Sequence, residues 1–545
     1  MSAIARQGTA EIAAPLAVRV GERARTRAKE ALPLAVALGL MDFLLGLYIN
    51  LRLHYISGDA FSRVANAYDV IYGRDPHLAA VGFIWNPLPS LLEIPLLLLK
   101  DVWPALSQDA LAGLFVSAAF AGVAVYYLSD TLRLFGIGTV WRILFTLLFA
   151  LNPMVAFYSA NGMSDIMLVG ALMAAVRGTV AYVQGRSLGD LMAAGTWLAI
   201  AFGIRYEGAP LGVFLAIGMA VGLWGMRCGR SEIRGAMLIL LAPLLYVSGL
   251  WIYVNWLIMK RPLYFLNSAY GNLSQTSIGG YVLQDTALQA AKHDALGTLL
   301  FVGHMALLFW PVLPGMAAAT ALAVGRWRDP IAPVLIGATV GMPLLQAVLI
   351  FQGHSGGWAR YFIYYIPDGF LLVTFAASRL RRAWLRNLAL GAALLCCIGG
   401  NALNLHEETT SNVVGYGDTS TVRGILANRP FHMFREDNQI VAYLDAHPHL
   451  TVLVDSYLGY PIVLRVKDPK QLVITSDTEF KSILENPAGR VDALLVPAPI
   501  DVQVLDAVNR AWPKLWAGKV PWAHLILGFH GQTQWRLYAV GAGAP

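Results

Sequence analysis

The dipeptide Gly58-Asp59 stands where a long apolar run turns polar, and Arg63 follows four residues later, within reach along one helical face. Further on, single acids and bases interrupt apolar surroundings: Asp165 after "NGMS", Arg205 and Glu207 in "RYEG", Lys260 and Arg261 in "MKRP", Arg360 and Tyr361 in "GWARY". Ionisable groups at membrane depth are costly and mark functional cavities. Carboxylates beside cations and lipid suit a substrate with a phosphate head and a lipid tail. Cations neutralise the phosphate, and a carboxylate accepts the proton of an attacking hydroxyl. That is the chemistry of glycosyl transfer from a polyprenyl-phosphate sugar, in which the phosphate leaving group supplies the energy and no nucleotide is required. The sequence shows no Cys/His metal cluster, no Ser/His/Asp arrangement and no P-loop, and no residue is assigned as a metal ligand.

Composition dictates where such residues sit. Of 545 residues 57% are hydrophobic and 13% charged, and the mean hydropathy is +0.57, which places the chain among integral membrane proteins. Apolar runs of about 20 residues, each long enough to cross about 30 Å of hydrocarbon, recur through the first 404 positions. The net charge of +7 lies in short basic stretches between these runs, the pattern of cytoplasmic loops rather than of a nucleic-acid surface. Cys228 and the adjacent Cys396 and Cys397 make neither a disulfide framework nor a metal site. Residues 1–30 read as a basic cytoplasmic tail, not a signal peptide.

With the tail inside, the first span, 32–53, delivers Asp59 to the outer face. Keeping every later basic cluster inside requires that 85–104, with Pro87, Pro89, Pro95 and Glu93, lie at the outer surface rather than cross. The other spans are then 110–130, 142–159, 164–184, 190–205, 208–226, 235–258, 298–325, 330–351, 361–378 and 387–404, about eleven in all. Pro311 and Pro314 are placed to split the span 298–325. From 405 to 545 the composition shifts. "TVLVDSYLGYPIVLRV", "QLVITSD" and "DALLVPAP" read as strands and "NQIVAYLDAHP" and "TEFKSILENP" as helices, giving a small extracytoplasmic α/β domain without a phosphate-binding glycine fingerprint. The expected fold is thus a polytopic α-helical membrane protein, residues 31–404, with an outer loop at 54–109 and this domain appended.

The stretch 53–76, "NPL" at 86–88, "FYSANGMSD" (157–165), "RYEG" (205–208), "NWLIMKRPLYFLNSAYGN" (255–272) and "GWARYFIYYIP" (357–367) together resemble the GT-C superfamily of membrane glycosyltransferases. The likeness is to the bacterial protein-mannosyltransferase and aminoarabinose-transferase-like branch, and it covers the whole membrane half in order. The resemblance implies that Asp59, in the first outer loop, is the general base, flanked by two surface helices, with Gly58 turning the chain out of the first span and the first helix starting near Ala60. It implies phosphate contact by Arg360; and because this chain offers one acid at Gly58-Asp59 where many relatives have two, it leaves the partner of Asp59 to be Asp165, which resembles a second-loop acid, or Asp69 or Asp75. Lys260-Arg261-Pro262 replaces the Gly-Asp-Pro of many relatives and puts two extra cations at the lip. The donor would be a polyprenyl-phosphate sugar, the acceptor an envelope glycan, lipid or protein, and the place a prokaryotic inner or plasma membrane. No cofactor is obligatory; a divalent cation is compatible, since relatives differ.

Each of these residues also has a plainer reading. Asp59 and Asp165 stand where helix caps stand. Arg205 paired with Glu207 is also what a snorkelling arginine would show. Lys260, Arg261 and Arg360 equally suit interfacial anchors, and Trp85, Tyr264, Trp358 and Tyr361 either an aromatic belt or a sugar-stacking wall. His354 reads as a loop residue. The polar loop 262–297 is either a mobile cover for the site or a linker. A transporter or flippase of lipid-linked sugars would place charges at the midplane on broken helices or show repeated halves. A non-catalytic scaffold would leave Asp59 and Arg360 pointing apart.

Overall fold

The computed structural model describes residues 29–278, 285–325, 329–411 and 418–541. The basic tail lies almost wholly outside these, as do Arg326 and Arg328. Eight described helices are long and apolar enough to cross a membrane: Ala31–Arg52, Leu111–Leu134, Ser164–Gly185, Gly208–Gly225, Arg230–Met259, Ala332–Phe351, Ala359–Ser378 and Ala383–Thr410. Two more apolar pairs are bent, Thr139–Ala150 with Pro153–Ser159 by 66° and Ala295–Leu308 with Val312–Val324 by 103°. With each pair taken as one span and with the 17-residue Leu188–Ile204 added, the described residues supply the expected number of membrane elements. The chain is a multi-pass membrane protein. Leu88–Leu97 has only 10 residues, about 15 Å of helix, too short to cross.

Burial grades the bundle. Ser164–Gly185 is buried almost from end to end and forms the axis, packed between Leu111–Leu134 and Leu188–Ile204. Arg230–Met259 buries few of its residues and turns Leu238, Leu245, Tyr246 and Trp256 outward, as a lipid-facing helix should. Gly208–Gly225 and Ala332–Phe351 approach through small residues: a Cβ at Gly218 would fall 2.2 Å from the Pro333 carbonyl oxygen, and one at Gly337 2.2 Å from that of Phe214. Among the described residues, the loops bearing basic clusters are tied down by ion pairs at one end of the spans: Arg142 reaches Glu30 at 2.5 Å, Arg379 reaches Asp329 at 2.6 Å and Arg186 reaches Glu232 at 3.5 Å.

Both bends are held by one helix. Asn152 caps Pro153–Ser159, accepting from Met154 and Val155 N–H, and its amide donates to Asn401 Oδ1 (2.8 Å) and Asn404 Oδ1 (2.9 Å). Asn401 in turn donates to the Leu148 carbonyl (2.8 Å) and Asn404 to the Leu308 carbonyl (2.9 Å), each just before a break. Backbone groups freed inside a bilayer need such partners. The split expected at Pro311 and Pro314 is present; the bend before Pro153 was not foreseen.

The first span ends in a π-turn, Tyr48–Arg52, and His54, at φ 56°, redirects the chain. The turn assigned to Gly58 is therefore made four residues earlier. Gly58 opens the first surface helix, Gly58–Tyr72, and a Cβ there would meet the Tyr460 hydroxyl at 2.9 Å.

The C-terminal part carries a five-stranded sheet ordered β2-β1-β3-β5-β4, with β1 Val452–Val454, β2 Leu472–Val473, β3 Ala493–Val496, β4 Ala523–Gly528 and β5 Arg536–Val540. The first three strands are parallel; β5 runs antiparallel to β3 and to β4. Most of "TVLVDSYLGYPIVLRV" is not strand, because Asp455 ends β1 and caps a helix, Ser456–Val463, by accepting from Tyr457 N–H (2.9 Å). The sheet sits against the first surface helix. Phe61 packs edge-on to Phe434 and Tyr460 (5.4 and 5.7 Å), Arg465 lies 3.8 Å over Phe434, and Asp75 accepts from Thr478.

Candidate active site

At the end of the bundle opposite the basic loops, a cavity of about 300 Å³ collects side chains from widely separated segments. The first surface helix supplies Asp59 and Arg63. Trp85 and Asn86 come from the chain before the second surface helix, Leu88–Leu97. The turn after Leu188–Ile204 gives Arg205 and Glu207, and the entry to Ala359–Ser378 gives Trp358, Arg360 and Tyr361. Phe265, Asn267, Leu273 and Gln275 cover it from the long loop.

Neither carboxylate caps its helix. Asp59 and Asp165 each lie in a first turn, after cap positions held by Ser57 and Met163 that make no side-chain cap bond. Asp59 instead meets Arg360, with Oδ2 3.6 Å from Nη2, and its side chain keeps 46% exposure whereas Arg360 keeps 14%. Arg360 lies over Trp358 (4.6 Å) and Tyr361 (5.3 Å), leaving its buried Nε without a hydrogen-bond partner.

Beside them Arg205 bridges two buried acids, donating to Glu207 Oε1 (2.7 Å) and Asp165 Oδ1 (3.2 Å), with the Tyr361 ring 5.8 Å away. Asp165 stands behind the wall rather than on it; its neighbour Ser164 faces the cavity and accepts from Arg63 Nη2 at 3.2 Å. Arg63 stacks on Trp85 (4.6 Å) and leaves Nε and Nη1 without hydrogen-bond partners. Burial draws its pKa down to about 10, against the pull of Asp59, so it remains a cation at neutral pH. Three guanidiniums thus hold unspent donor capacity or aromatic support around one half-exposed carboxylate.

The structure does not bring Lys260 and Arg261 to the cavity. Lys260 ends Arg230–Met259 in a left-handed turn (φ 56°) and donates to the Leu257 carbonyl at 2.8 Å; both side chains are exposed, as anchors are. His354, read as an ordinary loop residue, lines the cavity, and so does Asn86, whose amide bonds the Phe202 carbonyl. Two further residues had no role assigned from the sequence: Tyr158, within "FYSANGMSD", and Asp418. Tyr158 donates to Asp418 Oδ2 at 2.7 Å, and Asp418 acts electrostatically on Arg360 from beyond the last span. Burial pushes the Asp418 carboxyl up and Arg360 draws it back. Among the described residues no three His, Cys, Asp or Glu side chains converge as a metal site would require.

No family model matches the chain, and no curated protein matches it. Solved structures do. ArnT from Cupriavidus metallidurans, bound to undecaprenyl phosphate, superposes with a TM-score of 0.54 at 12% identity, over 95% of this chain and 99% of that one. The apo state of the same protein gives 0.54 at 11%, over 92% and 97%. The fold is GT-C-like. AglB from Archaeoglobus fulgidus, in complex with an inhibitory peptide and a dolichol-phosphate, gives 0.49 at 11%, over 93% of this chain and 74% of that one. At 95% of this chain, the superposition on ArnT takes in the helical bundle and the C-terminal sheet domain together.

Proposed function

We propose that the chain is an inverting glycosyltransferase that moves a sugar from a polyprenyl-phosphate donor to an acceptor hydroxyl on the outer face of a prokaryotic inner or plasma membrane. The observation that carries this reading is the meeting of Asp59 and Arg360 at the mouth of the cavity. The scaffold alternative requires those two residues to point apart. The flippase alternative wants charges at the midplane, whereas this cluster lies at one end. Occupation of ArnT, a structure of the same fold, by undecaprenyl phosphate supports the donor class.

In a single displacement the acceptor oxygen bonds the anomeric carbon as the bond from that carbon to the phosphate oxygen breaks. The hydroxyl proton passes to Asp59, and the sugar leaves a polyprenyl phosphate whose growing charge is met by Arg360 and Arg63. Arg205, already neutralised by Asp165 and Glu207, holds the rear wall and Tyr361 in place. The phosphate role first given to Lys260 and Arg261 passes to Arg63. The C-terminal domain takes part in receiving the acceptor, an envelope glycan, lipid or protein. A divalent cation, were one used, would have to compete with Arg360 for Asp59.

Asp59→Asn keeps the shape and removes the base. Transfer from a synthetic polyprenyl-phosphate sugar is expected to fall at least about 100-fold, the scale of general-base catalysis, while donor binding in native mass spectrometry persists. Arg360→Ala should instead lose the bound polyprenyl phosphate. Full turnover by Asp59→Asn would remove Asp59 from the role of base.

A further inference from the structure

Within the cover, residues 264–278, Tyr270 stands out because it faces away from the cavity and into the C-terminal domain. It is 6% exposed. Its hydroxyl donates to Asp455 Oδ2 at 2.8 Å and accepts from Arg510 Nη2 at 2.9 Å; Arg510 also lies 5.1 Å over its ring, which packs on Tyr457 at 5.1 Å. Asp455 is itself immobilised. It is fully buried at the end of β1, and its carboxylate also accepts from Ala507 N–H (2.6 Å), the Thr475 hydroxyl (2.6 Å) and Tyr457 N–H (2.9 Å). From the other side, the Tyr270 carbonyl accepts from Gln275 Nε2 at 2.7 Å, and Gln275 and Gly271 line the cavity. A continuous chain of short bonds therefore runs from the core of the sheet domain to the cavity wall, through one phenol.

We propose that Tyr270, gripped by Asp455 and Arg510, is a positioning residue through which the α/β domain sets the placement of residues 264–278 over the cavity. The domain then supports the site's wall from behind and is not an appendage. A phenol that both donates to a carboxylate and accepts from a guanidinium makes charge-assisted bonds, so its loss is felt at both ends. The effect on turnover rests on the transferase reading; the effect on the cover does not.

The test is amide hydrogen exchange on the full-length protein in detergent, comparing wild type, Tyr270→Phe and Arg510→Ala with Asp75→Ala. Asp75 accepts from the Thr478 amide and hydroxyl and ties the same domain to the outer loop elsewhere, so its variant loosens docking without touching the phenol. Tyr270→Phe and Arg510→Ala should speed exchange in 264–278 by about tenfold, the scale of a hydrogen bond to a charged group, with Asp75→Ala leaving it unchanged. Unaltered protection in both variants, or an equal loss in Asp75→Ala, overturns the proposal. With a polyprenyl-phosphate sugar as donor, Tyr270→Phe should raise an acceptor or donor KM more than it lowers kcat. A wild-type chain that turns over no such donor would defeat the transferase reading while the exchange comparison still decides the clamp.

Discussion

Asp59 differs from the neighbouring acids in one respect that chemistry needs: it is reachable. Asp165 lies behind Arg205, and Glu207, though on the cavity wall, is buried and paired with Arg205, whereas the Asp59 side chain keeps nearly half its surface with Arg360 3.6 Å away. Glu93, on the second surface helix, is the opposite case, fully buried with both oxygens lacking hydrogen-bond partners. Burial raises its carboxyl from the usual 4.5 to about 8, in spite of Arg63. A carboxyl raised in the folded state stabilises below its unfolded pKa and loses that contribution as pH rises toward its folded one. Melting of the wild-type protein in detergent should therefore drop between about pH 5 and about pH 8.5, and Glu93→Gln should flatten that drop. An identical slope in the variant would show that Glu93 does not titrate there. At this scale the sequence was informative where an ionisable residue broke an apolar run, as at Asp59, Arg205, Glu207 and Arg360. It could not separate anchoring from binding at Lys260 and Arg261, because a cation at a helix end serves either. Asp418 was illegible for another reason: its partner Tyr158 lies 260 residues away.

Among elements, the spans were legible because hydrocarbon thickness dictates their length, and the surface segment because its prolines and the placement of arginines forbade a crossing. The bends were only half legible. Proline announces a break but does not say what satisfies the carbonyl left behind, and here Asn401 and Asn404 do so from another helix. Asn404→Leu removes the partner of the Leu308 carbonyl and of Asn152 at once. It should cost about 2 kcal/mol or more in reversible unfolding, since each buried unsatisfied group costs about 1–3; a neutral substitution would mean that water reaches the break. In the C-terminal part, apolar residues around 456–463 imitated a strand. Helix won there because Asp455 caps it, and the β4–β5 hairpin escaped notice although β4 carries exposed Leu525, Ile526 and Leu527.

For the whole molecule, the sidedness argued from charge is open to direct measurement. The basic loops gather at one end and the cavity and sheet domain at the other, so one labelling experiment orients both. With the native cysteines replaced, Lys519→Cys should react with a membrane-impermeant maleimide in intact cells and Arg230→Cys only after permeabilisation. The reverse pattern would put the cavity inside.

Ser164–Gly185, enclosed on all sides, carries Arg177, which bonds Asp130 (2.7 Å) on a helix made earlier and Asp190 on one made just after. During synthesis the helix bearing Asp130 leaves the ribosome 47 residues ahead of Arg177, and Asp190 follows 13 residues behind. The guanidinium thus enters the lipid with a counter-ion already present and a second arriving. The axis of the bundle is neutralised in the order in which it is translated, by the two helices that also flank it.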